Sequence, residues 1–424
     1  MIFEIIFAVL LLLLPTQLGR HFWPKETFLF GLKVDFLSPT LYLQDVVFVF
    51  LFTAWLKKDF PKIISGIKAK KKYLILSLLY FSFIIFNLYS SATPLLSFFS
   101  WLRFNEFLLL GIMVSQNSRF VLTKLGQILP FTVIFEFFLG LAQVIRQSSL
   151  GIFWILGERT FSVLTPGIAK ATFLGKVFLR PYGTFSHPNS LAGFILVALI
   201  FIFGKVKLRF WDKVAILSGL SLLFLSFSRT VWLTAFILGF SFFFGKLRSN
   251  FSQKKFPLSF SYLVMALFIP LTLYFFSQTT IDLSSFIIRR DLARVAISLF
   301  KASPLFGIGA GQFIIRLAET QPVWPSLYWL QPVHNIFLLV AGETGLIGLS
   351  LFLLLIVLTV RRLLVPPMFT THCLLLSTLF AIIFTGFFDH YWLTLIQNQM
   401  LFSLVLGLSF SATPLAESSH LHHR

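Results

Sequence analysis

The sequence predicts an all-α, polytopic membrane protein of about twelve transmembrane helices, with two long external loops, one carrying an amphipathic interfacial helix. Three observations lead there. Apolar side chains make up 57% of the 424 residues and charged ones 12%, with a mean hydropathy of +0.89, far from the composition of a soluble domain. The apolar residues gather in runs suited to crossing ~30 Å of hydrocarbon. Between those runs, short basic clusters recur at every second turn of the chain, as expected of cytoplasmic loops.

In chain order, the spans are expected at about 2–18, 39–56, 73–90, 98–115, 120–145, 189–204, 213–228, 229–245, 257–276, 334–360, 370–388 and 393–411. The opening stretch MIFEIIFAVLLLLLPTQLGR has neither a basic n-region nor an A-x-A site, so it reads as a retained span. KKDFPKIISGIKAKKK (57–72), Arg119 with Lys124, KVKLRFWDK, the loop holding Lys246, Arg248, Lys254 and Lys255, and the pair Arg361–Arg362 should all be cytoplasmic. Both termini then fall inside and the alternate loops face out. Two external loops are long, about 146–188 and 277–333, and loops of this length are commonly functional. With no internal repeat and no soluble segment, residues 1–424 read as a single polytopic membrane domain.

The excess of 35 Lys and Arg over 15 Asp and Glu follows the loops rather than a nucleic-acid footprint, so nucleic acid is not an expected partner. Cys373 is alone in an apolar segment, which excludes an intrachain disulfide framework or a cysteine metal site. The terminal HLHHR belongs to the cytoplasmic side in this topology and is not expected to be a catalytic metal site.

Four polar constellations reach the external face. RPYGTFSHPNSLAG (180–193) contains Arg180, His187 and Asn189; Pro188 suits a first helical turn, and Ser186, His187 or Asn189 could cap it. In SFSRT, Arg229 sits where a span finishes outside, a position that also lets an arginine snorkel to headgroups. IIRRDLARVAISLFK (287–301) sets Ile288, Leu292, Val295 and Leu299 opposite basic residues that include Arg289, Arg290 and Arg294, the pattern of an interfacial helix. It continues into PLFGIGAGQF, whose glycines follow no strand and so do not suggest a nucleotide site. Finally, QPVHNIFLLVAGETGLIG opens a span with His334 and Asn335, and Glu343 lies nine residues on. Histidine suits proton transfer near neutrality. Of the intramembrane acids, Glu343 needs a partner, Arg103 and Glu106 could pair at i,i+3, and Glu136 and Asp45 have none to name.

Several arginines and two histidines thus share one side of a membrane without metal-ligand spacing. Guanidinium forks match phosphate oxygens, so a phosphate-bearing substrate embedded in the outer leaflet is expected. In order and spacing, RPYGTFSHPNSLAG, SFSR, the RR…PLFGIGAGQF segment and HNIFLLVAGETGLIG resemble the O-antigen ligase-like superfamily, which includes O-antigen ligases and polymerases. By motif the resemblance covers roughly residues 175 to 350.

That resemblance implies an inverting, metal-independent glycosyltransferase without cofactor, sited in the cytoplasmic membrane with its active site facing the periplasm or exterior. Its donor would be an undecaprenyl-pyrophosphate-linked glycan, its acceptor a glycan, lipid or protein hydroxyl, and its surroundings membrane lipids. Carried over, Arg229 and one of Arg289 and Arg290 would hold the pyrophosphate, and His334 would meet the acceptor hydroxyl. Arg180, His187, Asn189, Asn335 and Arg294 would complete the substrate pocket. The residues leave Arg289 and Arg290 undecided. A transporter for lipid-linked saccharides and a structural subunit that docks a partner are the rival classes; a transporter would be expected to show repeat symmetry.

Overall fold

The computed structural model describes residues 2–69, 71–205, 207–253, 270–277, 283–320, 330–365 and 370–411. It is 71% helical. The helices are α1 (Ile2–Leu12), α2 (Leu43–Ala69), α3 (Lys71–Tyr89), α4 (Pro94–Gln116), α5 (Ser118–Arg146), α6 (Pro188–Phe203) and α7 (Phe210–Leu225). After them come α8 (Arg229–Gln253), α9 (Leu283–Ala302), α10 (Phe313–Thr320), α11 (Ile336–Leu364), α12 (Thr370–Gly386), α13 (Tyr391–Thr394) and α14 (Ile396–Ser409).

Among the described residues, α4, α5 and α11 are long and apolar enough to cross a membrane, and five shorter apolar helices accompany them. Among the described residues, length and apolarity together thus support three full spans, and twelve are not established by them. The first expected span stops early because Pro15 ends α1, and the second starts late because Thr40–Tyr42 pairs with Gly19–His21 in a two-stranded sheet. The last is split at Leu395, which adopts extended backbone between α13 and α14. At ~1.5 Å per residue, the 14 residues of α14 fall short of the hydrocarbon thickness. Most of the expected span 257–276 lies outside the described residues.

α6 is the hub. Nearly every residue from Pro188 to Ile202 is buried, and α5, α7, α8, α12 and α14 pack around it. α4 lies against α14, where Gly407 brings the backbone carbonyl of Gly111 so near that an added Cβ would come within 2.5 Å of it; close approach at small residues is the usual basis of helix association in lipid. On the outside, by contrast, α3 exposes Leu74, Ile75, Leu76, Leu78, Leu79 and Phe81, an apolar band that a solvated monomer would not carry.

The segments between the helices build a second core. Leu292, Val295 and Leu299 of α9 are buried, as the amphipathic pattern predicts, but against Phe313, Ile314 and Leu317 of α10 together with Val34, Leu37 and Leu96. The apolar stripe of α9 thus faces protein. The loop at 146–188 holds a hairpin, Lys170–Phe173 with Lys176–Leu179. The connection from α1 to α2 was not expected to be long, yet it folds into two small two-stranded sheets and supplies Val34 and Leu37 to this core.

The glycine-rich stretch finds its purpose here. Gly345 (φ 66°, ψ −165°) breaks α11, in a region of backbone space that is essentially glycine-only. The amides and carbonyls released by the break bond to the 304–309 loop: Leu346 N to Pro304 O (2.7 Å), Ile308 N to Gly342 O and Gly309 N to Glu343 O (both 3.1 Å). Asn87 Nδ2 donates to Phe306 O (2.6 Å) and Glu343 O (2.8 Å), and the Glu343 carboxylate accepts from Phe313 N at 3.2 Å. PLFGIGAGQF is a plug in a broken helix, which satisfies polar groups that lipid could not.

At Gly345 a Cβ would lie 2.4 Å from Leu305 O. Gly345→Ala is expected to cost at least ~1–3 kcal/mol in backbone strain alone, read as a fall in midpoint temperature in detergent. An unchanged midpoint would refute the plug.

The other membrane acids also find partners. Arg103 donates to Asp45 Oδ2 and Glu106 Oε2, both at 2.8 Å. Glu136 accepts from Thr184 N (3.1 Å) and Oγ1 (2.6 Å).

Candidate active site

The segment RPYGTFSHPN is held from below by polar side chains of α5. Gln143 Oε1 accepts from Tyr182 N (3.0 Å) and Gly183 N (2.8 Å), while Glu136 takes Thr184. These anchors leave Arg180 at one end and α6 at the other. His187 is the N-cap of α6: its Nδ1 accepts from Asn189 N at 3.1 Å, with Pro188 in the first turn. The plain reading of SHPNS as a helix start therefore holds for His187. Asn189 does something else. Its Oδ1 accepts from Arg180 Nη2 (2.5 Å) and its Nδ2 donates to Asp389 Oδ2 (2.8 Å), so it bridges an arginine to a carboxylate from the far end of the chain.

Three arginines meet near this bridge. Arg180 Nε also donates to Ser226 O at 2.6 Å, in the turn that joins α7 to α8. That turn needs a left-handed residue, Phe227 (φ 50°), an uncommon conformation of the kind that collects at functional sites. It places Arg229 at the start of α8. From α9, Arg289 Nη1 donates to Phe388 O at 3.2 Å, one residue before Asp389. Burial pulls Arg180 down to about 10, and Arg289 and Arg229 add to the effect while Tyr182 and Asp389 oppose it. Arg290 and Arg294 instead turn to Asp291 on their own helix, at 3.0 and 3.3 Å, with 46% and 68% of their side chains exposed. The structure thus brings Arg289 to the cluster and leaves Arg290 and Arg294 on the surface.

His334 joins from the segment before α11. Its ring lies 5.2 Å from that of His390, and His390 in turn meets Phe36 of the α1–α2 connection at 5.4 Å. Burial lowers His334 to about 3, with His390, Arg289 and His187 pushing the same way and Asp389 opposing, so its imidazole is neutral at physiological pH. Asp389 sits below the usual carboxylate range: burial works against this, and His334, His390 and Arg289 outweigh it. His187, His334, Asp389 and His390 all line a groove of about 1600 Å³ that runs between the α1–α2 connection and α4.

Asn335 is placed as a helix cap. Its Oδ1 accepts from Phe337 N and Leu338 N, both at 2.9 Å, and its Nδ2 donates to Phe387 O at 3.1 Å. Asn335→Ala should cost ~1 kcal/mol of stability, visible as a lowered midpoint temperature. A normal midpoint would free Asn335 for substrate.

Sequence reasoning missed Asp389 and His390. They lie in the short turn between α12 and α13, and the one available signal was an ionisable pair, DH, at the end of an apolar run.

The fold and this cluster define a class: a multi-helix membrane protein with arginines, a buried carboxylate and a neutral histidine gathered at one polar site. Within the chain, residues 214–353 are similar to the family model described as O-antigen ligase, a match over about a third of its 424 residues. The match contains Arg229, Arg289, His334 and Asn335, and stops short of Arg180, His187, Asn189, Asp389 and His390. No curated protein matches the chain significantly. That family similarity, with the apolar helices, suggests a membrane protein of the ligase or polymerase kind.

Proposed function

We propose that the protein is an inverting glycosyltransferase that moves a glycan from an undecaprenyl-pyrophosphate carrier to an acceptor hydroxyl at the outer face of the cytoplasmic membrane, without a metal. The observation that carries this reading is that Arg229, Arg289 and Asp389 all lie near enough to Arg180 for their charges to act on it, with neutral His334 beside the same carboxylate. Three guanidinium charges against one carboxylate leave two positive charges, which suits the two phosphate charges of a pyrophosphate diester. Bidentate forks bind such groups well.

Transfer then follows simply. The acceptor oxygen attacks the anomeric carbon from the face opposite the pyrophosphate, and its proton passes to His334. The bond from the anomeric carbon to the pyrophosphate oxygen breaks, and the pyrophosphate leaves with the electron pair. Because pyrophosphate is already a good leaving group, positioning and charge stabilisation supply most of the catalysis. Arg180, held by Asn189 and Ser226, would orient as well as bind. His187 and Asn335 serve as helix caps that keep the pocket walls in place, and Arg294 lies outside the pocket.

A ligase and a polymerase differ in this scheme by their acceptor alone, and the acceptor stays open. We read the chain as one polytopic unit, with about twelve membrane-inserted segments, some too short to span alone. Labels applied from the cytoplasm should reach 57–72, 246–255 and the C-terminus, while 147–188 and 277–333 should be reached from outside. Cytoplasmic labelling of 277–333 would refute a shared outer-face site.

Function itself is tested by turnover. Purified protein in nanodiscs, given a pyrophosphate-linked glycan and candidate acceptors, should release lipid pyrophosphate in step with product. Movement of the donor across the bilayer without such release would establish the transporter instead.

A further inference from the structure

The cluster of His334, Asp389 and His390 has a property that the transfer scheme does not use. One potential ligand atom from each of the three side chains lies within 4.8 Å of the others. Thr394 Oγ1 lies 2.7 Å from His390 Nδ1 and 3.1 Å from His390 O. With its one proton given to the carbonyl, the hydroxyl accepts from Nδ1–H, and in that tautomer the His390 lone pair is on Nε2, 4.0 Å from Asp389 Oδ1. Asp389 Oδ1 accepts from His390 N at 2.8 Å and keeps a lone pair for a cation. His334 adds a third: its Nδ1 is buried with no hydrogen-bond partner.

This arrangement asks for a cation, and its supports are those of a metal site. Metal-binding histidines characteristically give their second N–H to an oxygen, and ligating carboxylates are themselves hydrogen-bonded. Thr394 does the first for His390; Asn189 Nδ2, at 2.8 Å from Asp389 Oδ2, does the second. Two imidazole nitrogens and one carboxylate oxygen suit a borderline-soft divalent ion such as Zn²⁺ or Co²⁺ rather than Mg²⁺ or Ca²⁺. Bonds of ~2.0–2.2 Å would require the ligand atoms to draw together by roughly an ångström. Arg289, close to Asp389, opposes the cation and limits affinity.

We propose that His334, Asp389 and His390 form a site for Zn²⁺ or a similar first-row ion, and that filling it stops glycan transfer. The second half rests on the reading of His334 as the acceptor base. A metal on Nδ1 leaves the proton on Nε2, so the ring has no lone pair for a hydroxyl. The ion is an inhibitor, and transfer proceeds when it is absent.

Cobalt titration of the full-length protein in nanodiscs tests binding by ligand-field absorption. Subtracting the spectrum of His390→Gln cancels contributions from His420, His422, His423 and other shared sites. A saturable difference band, displaced by Zn²⁺, is expected. Thr394→Val, which removes the hydroxyl beside His390 Nδ1 and leaves all three proposed ligands in place, should weaken cobalt binding by ~10- to 100-fold and raise by the same factor the Zn²⁺ needed to halve transfer. Identical cobalt spectra for the wild type and His390→Gln, or unchanged affinity in Thr394→Val, would overturn the site. Cobalt binding that behaves as expected, with transfer indifferent to Zn²⁺, would overturn the inhibition and with it the role of His334. A protein that binds cobalt but transfers nothing with any acceptor would refute the transferase reading while leaving the metal site in place.

Discussion

His334→Ala should still bind the pyrophosphate-linked donor to within a few-fold of wild type, yet turn over ~10²- to 10⁴-fold more slowly, the range ascribed to a positioned general base. The split follows from where the residue sits. The arginines gather around Asn189 and Asp389, whereas His334 faces the groove beside His390, so deletion of the imidazole removes a proton acceptor without touching the phosphate clamp. The pH dependence supplies a second readout. Burial holds the free imidazole down to about 3, and the neutral form is the active one, so kcat/KM should stay flat as pH falls from 7 to about 5 and decline only below that. A bound pyrophosphate brings negative charge near the ring and favours its protonation. The acid limb of kcat should therefore lie at higher pH than that of kcat/KM. Loss of donor binding in a folded His334→Ala protein would move this residue to the donor site.

Arg289→Ala should weaken donor binding by roughly 10- to 100-fold, and Arg290→Ala by no more than about two-fold. A lost charge-assisted bond is worth ~1.5–3 kcal/mol and each ~1.4 kcal/mol is tenfold, while an exposed pair such as Arg290–Asp291 contributes little. Lysine at 289 should rescue poorly, because an ammonium cannot reproduce the planar fork. Arg229→Ala and Arg180→Ala belong with Arg289→Ala, and donor binding measured on all four variants orders them. A larger loss for Arg290→Ala than for Arg289→Ala would mean that α9 presents its other face to the donor.

Much of this protein is legible in its sequence because the signals concerned are local. Hydropathy marks membrane segments residue by residue, basic clusters mark loops, and a 3.6-residue period marked the apolar stripe of α9 before its partners were known. His187 and Pro188 announced a helix start that the structure contains. Even Arg103 and Glu106, three apart, could be paired on paper. Span boundaries were less legible where chain ends at a proline or strand override apolarity: Leu13 and Leu14 are apolar but follow α1, and Leu41 belongs to a strand.

What the sequence by itself determined was a helical membrane protein, its basic loops, and the residue types that crowd its external segments. Only the tertiary structure decided which of them meet. Neighbours on a helix point ~100° apart, so Arg289 and Arg290 are equivalent in sequence yet differently placed once α9 is docked, one on Phe388 O and the other on Asp291. Asp389 lies 200 positions from Asn189 in a turn without a pattern of its own, and it reaches the site because α12 packs against α6. Convergence of this kind depends on helix packing, which no window along the chain records.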